Sequence, residues 1–138
     1  MQLPDELQAF LDGWSDTDNK PKQAFLELME ALRPSENLQF EFKARPGVSY
    51  SLRVRHRPSQ SKLLALMDII DDDPEQRWLS VCFFADLIQD PEEKGDLIPG
   101  GLLGEDGYCF DLEVYDPHEV AYLQDRLQEA AQALAGNA

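Results

Sequence analysis

Apolar and polar residues alternate with a period of two in the second quarter of the chain. In LQFEFKA (38–44), Leu38, Phe40, Phe42 and Ala44 fall on one side and Gln39, Glu41 and Lys43 on the other. That period belongs to a strand with one buried face. VSYSLRVRH (48–56) repeats it, with Val48, Tyr50, Leu52 and Val54 inward. Pro46-Gly47 between the two runs predicts a hairpin. A plain two-residue turn would set inward Val48 against outward Arg45, which the pleat forbids. Pairing Ala44 with Val48 and Phe42 with Tyr50 aligns both core faces and predicts a three-residue connection with a bulge at Gly47. Glu41 would then face Ser51, and Lys43 would face Ser49.

KLLALMDII (62–70) and RWLSVCFFADLI (77–88) are almost continuously apolar, the pattern of central strands covered on both faces. YCFDLEV (108–114) alternates again, with Asp111 and Glu113 outward. Helical spacing brackets these strands. Residues 3–12 place Leu3, Leu7, Phe10 and Leu11 together before Gly13, and a polar linker (14–19) carries Trp14, which either folds back or anchors a partner. Ala24, Phe25, Leu28, Met29 and Leu32 mark a second helix, with Asn19 or Asp18 as its cap and Pro34 as its stop. The last helix opens on Asp116, Pro117 and Glu119, carries Val120, Leu123, Leu127, Ala131 and Leu134, and ends at Gly136. This order predicts an α+β fold with a mainly antiparallel five-stranded sheet packed by N- and C-terminal helices. The chain reads as a single domain, 1–138. Residues 1–19 form an N-terminal helix and linker, and residues 20–138 an α-β-β-β-β-loop-β-α body.

The segment GDLIPGGLLGEDGYCFDL (95–112) is glycine-rich, yet it has no lysine and no GK[ST], and it runs into a strand. Backbone cradles for phosphate need that lysine and a following helix. Turns at Ile98-Pro99-Gly100 and Glu105-Asp106-Gly107, pinned by Leu97, Ile98, Leu102 and Leu103, predict a folded crossover. If it frames a pocket, Asp90, Gly100, Gly101 and Asp111 are the candidate edge, with Cys109 and His56 near the mouth.

Charge alters the picture most. The 138 residues include 27 acidic and 12 basic ones, a formal net charge of −15. Polyanions bind by exchanging counterions for Lys and Arg, so nucleic acid and anionic membrane are not expected partners. No apolar run is long enough to span a membrane, and Met1 leads into charge and proline, so a cytoplasmic location is expected. Half of the basic residues fall within 43–62: Lys43, Arg45, Arg53, Arg55, Arg57 and Lys62. Alternation makes Arg53, Arg55 and Arg57 one outward stripe beside Lys43, a candidate surface for an acidic peptide or small anion. The plainer reading is a solvated face neutralised by Glu41 and acidic loops.

Other candidate chemistry is sparse. Cys82 and Cys109 lie in apolar strand runs and are expected as reduced core thiols. His56 and His118 have no metal-ligand spacing, and no serine sits in a nucleophile elbow. The acidic run Asp68, Asp71, Asp72, Asp73 and Glu75 lacks the calcium-loop glycine and reads as a solvated turn. No catalytic residue, metal or cofactor is therefore expected. The helix–strand–helix order resembles the secretion-chaperone-like α/β architecture, a likeness of topology across most of the chain. It implies a small acidic dimer with helices against a five-stranded sheet. Together these readings predict a non-catalytic protein- or peptide-binding module, chaperone-like and homodimeric. The alternative is a small-ligand-binding domain or an enzyme of unknown reaction, with a pocket beside residues 95–107.

Overall fold

The computed structural model describes residues 2–136. Its elements run α1 (Asp5–Gly13), α2 (Pro21–Glu30), β1 (Leu38–Arg45), β2 (Ser49–His56), β3 (Lys62–Ile70), β4 (Trp78–Phe84), β5 (Asp96–Leu102), β6 (Glu105–Leu112) and α3 (Pro117–Gly136). The α+β class and the antiparallel sheet are as the periodicity predicts, with six strands instead of five, in the order β1-β2-β3-β4-β6-β5.

The additional strand is β5, cut from the glycine-rich segment that reads as a crossover. A wide bulge lets it pair: Ile98 faces Gly107 and Leu102 faces Glu105, leaving Pro99, Gly100 and Gly101 opposite one residue. Gly100 takes a positive φ of 65°, and its N–H donates to Asp106 Oδ1 at 2.9 Å. Proline is tolerated because β5 is an edge. A Cβ on Gly107 would stand 2.8 Å from Leu102 Cβ, so glycine there lets the hairpin close. Of the four expected anchors only Leu102 is buried; Leu97, Ile98 and Leu103 are exposed.

The β1–β2 hairpin has the expected three-residue connection, but its register lies two residues away. Ala44 pairs with Tyr50, Phe42 with Leu52 and Glu41 with Arg53. Pro46, Gly47 and Val48 form the turn, closed by Val48 N–H to Arg45 O at 2.9 Å, with Gly47 at φ +84°. Val48 is thereby expelled from the core to 60 % exposure. Slips of two preserve which face each side chain takes, so alternation cannot choose between these registers. The bulge expected at Gly47 is absent; the register shift in this hairpin's neighbourhood lies between Val54 and Arg55, against β3.

One sheet face forms the core. Leu52, Val54, Met67, Ile69, Leu79, Val81 and Phe83 are buried there in the same cluster as Leu7, Leu28, Leu32, Leu123 and Leu127 of the helical layer. The opposite face is open within this chain at Leu66, Asp68, Ile70, Trp78 and Ser80, which are half-buried, while Cys82 and Phe84 further along β4 are buried. Trp14 folds back into the core, its ring 6.3 Å from that of Phe25. The cap of α2 is neither Asn19 nor Asp18. Lys20 holds the N-cap position with φ 55°, and Asp16 accepts from the N–H groups of Lys22 and Gln23, both at 3.0 Å. At α3, Asp116 accepts from His118 N at 2.8 Å and Glu119 N at 3.3 Å, as expected of an N-cap.

Cys82 and Cys109 are not free thiols. They sit directly opposite one another on β4 and β6, Cα atoms 4.1 Å apart, and are joined by a disulfide on that opposite face. Only the strand order creates this proximity, and 27 residues of sequence separate the two.

Candidate functional site

The uncovered face of β1 and β2 is built by cross-strand pairs. Gln39 stands opposite Arg55, Glu41 opposite Arg53, Lys43 opposite Ser51 and Arg45 opposite Ser49. Side chains at such positions lie about 5 Å apart at Cβ, close enough to share a ligand. The expected stripe is divided. Arg55 donates from Nε to Glu41, and from Nη1 to the Ser61 carbonyl at 3.1 Å. The Arg55 hydrogen bond holds the Glu41 carboxyl below the usual range against burial, and the Arg55, Arg53 and Lys43 charges add to it. Arg57 opens a short 3-10 turn (Arg57–Ser59) beyond β2, and it lines a separate cleft along β1 with Arg33, Asn37 and Gln39.

Lys43 and Arg53 remain together, joined by Arg45. With Ser49, Ser51, Leu66 and Asp68 they line a cavity of about 90 Å³. Arg53 Nε and Asp68 Oδ1 are buried without a hydrogen-bond partner among the described residues. Burial pushes the Asp68 carboxyl up, opposed by Ser51 and by the Arg53 and Arg45 charges.

Six basic residues find a carboxylate within 4.0 Å among the described residues: Arg33, Arg55, Lys62, Arg77, Lys94 and Arg126. The other six, Lys20, Lys22, Lys43, Arg45, Arg53 and Arg57, find none among the described residues; the first two stand at the start of α2 and the last four on β1, β2 and the turn that follows β2. In a chain with more than two acids per base, this second group is where most unneutralised positive charge collects.

The four candidates for a pocket edge do not converge. Asp90 accepts from the Tyr122 hydroxyl, from Lys94 N at 3.0 Å and from Gly95 N at 2.8 Å. Burial would raise its carboxyl, but these hydrogen bonds and Arg126 outweigh burial and hold it below the usual range. Gly100 and Gly101 are exposed near the tip of the β5–β6 hairpin. Asp111 faces outward opposite Ser80, its carboxyl raised by burial and then by Asp96 and Glu113. His56 is buried, its Nδ1 2.8 Å from Ser59 Oγ, which donates to the Leu134 carbonyl at 3.3 Å. Cys109 is in the disulfide.

The acidic run hides a residue that sequence reasoning missed. Asp71 is buried, accepting from Arg77 and from the Gly47 N–H, while Asp72, Asp73 and Glu75 are exposed. Among the described residues, no group of three or more His, Cys, Asp or Glu side chains is placed to hold a metal ion, and no helix is long and apolar enough to cross a membrane. No protein family, curated relative or solved structure was found to match the chain.

Proposed function

We propose that the chain is a non-catalytic binding module whose cationic sheet end receives an acidic, extended protein segment. The observation that carries this reading is the gathering of Lys43, Arg45 and Arg53 around one cavity without an ion-pair partner among the described residues, with Arg57 likewise unpaired past the far end of β2, in a strongly acidic molecule. Because β1 is an edge strand, its outer N–H and C=O groups are available for strand addition. A segment lying along it would bring carboxylates to Lys43 and Arg45 on one face and to Arg57 at the end. Guanidinium forks suit carboxylates, and Leu66 and Trp78 offer apolar contact further across the open face. A chaperone-like holding role uses the same surface. A small-ligand pocket beside residues 95–107 has less support, because its candidate residues lie apart.

Titration of a labelled glutamate-rich peptide tests the reading. Saturable binding that weakens steeply with salt is expected, and Lys43→Glu with Arg45→Glu should lower affinity about tenfold or more, ~1.4 kcal/mol. Equal binding by that variant, or no binding at low salt, overturns the reading. The homodimer is a separate proposal, favoured by exposed Leu97, Ile98 and Leu103 at the β5 edge and the tip of its hairpin. Light scattering should give twice the monomer mass, reverting to monomer with Leu97→Glu and Leu103→Glu; a monomer at all concentrations removes it.

A further inference from the structure

The helical layer carries a second surface of opposite chemistry, independent of the cationic sheet end. α1 and α2 enclose a groove of about 580 Å³. Leu3, Leu11, Leu26 and Met29 contribute its apolar lining. Leu26 is 40 % exposed on α2, although the other apolar residues of that helix, Ala24, Phe25, Leu28 and Met29, are all buried. Folding within the chain therefore leaves Leu26 as an apolar contact without cover among the described residues.

The rim selects the occupant. Four carboxylates, Asp12, Asp16, Glu27 and Glu30, line the groove against two cations, Lys22 and Arg33. Asp16 already accepts from the N–H groups of Thr17, Lys22 and Gln23, and Glu27 from Gln23 and Tyr115, so the rim is net negative with Asp12 and Glu27 its most available charges. Lys22 donates Nζ to the Trp14 carbonyl at 2.7 Å, and Arg33 is paired to Glu30 at 2.8 Å. An apolar floor with a negative rim repels acidic segments and attracts a cationic one. α1 and α2 have 9 and 10 residues, so each helix that lines the groove is roughly 15 Å long at 1.5 Å per residue. That length matches about three turns of a helix, enough for apolar anchors at i, i+3 or i+4, and i+7.

We infer that this groove docks a basic amphipathic helix of a partner protein, its apolar stripe on Leu26 and Leu3 and its lysines or arginines against Asp12 and Glu27. Hydrophobic burial supplies affinity, and the carboxylate rim supplies orientation and selectivity. The two surfaces then distinguish partners by charge: extended and acidic on the sheet, helical and basic on the helices.

The test uses the full chain and a synthetic Leu/Lys amphipathic peptide of about fourteen residues, four helical turns. Two controls accompany it: the same composition scrambled to destroy the apolar stripe, and a Leu/Glu peptide with the stripe intact. Calorimetry should show one saturable site, bound about tenfold or more tightly than by either control. Leu26→Glu, at an exposed position that leaves the core intact, should weaken binding about tenfold or more, and Asp12→Lys should weaken it in the same direction. Circular dichroism of each variant confirms folding. Equal binding of the scrambled peptide shows unspecific attraction to a −15 protein and overturns the inference. Indifference to Leu26→Glu, equal binding of the Leu/Glu peptide, or no binding at all overturns it as well. None of these results bears on the cationic sheet end, whose variants and peptide are different.

Discussion

Arg77 donates from Nε to Asp71 Oδ1 at 2.7 Å, with the Asp71 residue only 2 % exposed. The other carboxylate oxygen accepts the Gly47 N–H at 2.8 Å, and Asp71 N–H donates to Val48 O at 2.9 Å. One residue after β3 thus fastens the β1–β2 turn from side chain and backbone together. The Arg77 guanidinium sits 5.2 Å from the Phe10 ring centroid, 5.8 Å from Trp14 and 5.4 Å from Tyr50. It joins α1 and the Trp14 linker to the edge hairpin that carries Lys43 and Arg45.

Removing one member of that pair should be severe. Asp71→Ala leaves Arg77 half-buried among aromatic rings without its counter-ion and the Gly47 N–H without its acceptor. Breaking buried pairs of this kind destabilises by about 3 kcal/mol or more. Asp72→Ala and Asp73→Ala, at exposed neighbouring positions, should stay within about 0.5 kcal/mol. Urea denaturation of the three variants separates the cases; equal effects would show that burial of Asp71 carries no special weight.

The disulfide gives a second prediction. Thiol titration of the unreduced, unfolded chain should find no free thiol, and reduction should release two. Cys82→Ser with Cys109→Ser should lower stability by about 2–4 kcal/mol, through loop entropy restored to the unfolded chain. Unchanged denaturation midpoints in reducing and non-reducing buffer would contradict this.

Which of these features the sequence carries follows from what periodicity can encode. The Leu38–Ala44 and Tyr50–Val54 alternations identify faces correctly, because the pleat forces every second side chain to one side. The same parity is blind to a slip of two, which moved Val48 into the turn and set Glu41 against Arg53. β5 was hidden because Pro99 and three nearby glycines lower strand propensity, and a wide bulge absorbs them. Alternation alone put Lys43 on the outward face beside a stripe of Arg53, Arg55 and Arg57, without showing which of them would share a cavity. The diversion of Arg55 to Glu41 and the arrival of Asp68 depend on cross-strand geometry absent from local sequence. Asp71 looks like its acidic neighbours in composition and differs from them only in burial.

Asp90 and Tyr122 make an acid-side prediction. The Asp90 carboxyl is held below its unfolded value, so its contribution is present above the unfolded pKa and is lost as pH falls through the folded one. Tyr122→Phe removes the hydroxyl donor, moving the Asp90 titration toward the ordinary carboxylate range and starting the acid loss at higher pH. Stability at neutral pH should fall by about 1.5–3 kcal/mol, the loss of one hydrogen bond to a charged acceptor. Carboxyl-carbon NMR titration of Asp90 in both proteins checks the direction; an unmoved titration would contradict it.

Asp68 has the opposite sign, and its consequence reaches the cationic surface. Burial raises its carboxyl above the unfolded value, so the folded chain holds that proton more tightly than the unfolded chain does. Its contribution is therefore fully present below the unfolded pKa and is lost as pH rises through the folded pKa. At neutral pH the ionised carboxylate opposes folding, even with Arg53 and Arg45 nearby. Asp68→Asn removes that charge while keeping shape and hydrogen-bonding capacity. The variant should match the parent in strongly acidic solution and exceed it in stability at neutral pH, the gap opening across the carboxylate range. It also removes the one acidic residue lining the Lys43–Arg45–Arg53 cavity, so affinity for a glutamate-rich peptide should rise several-fold at low salt. Urea denaturation across pH measures the first effect and peptide titration the second. A variant less stable than the parent at neutral pH would mean that Asp68 serves mainly as the counter-ion of Arg53. Unchanged peptide affinity would place the acidic-segment contact away from this cavity.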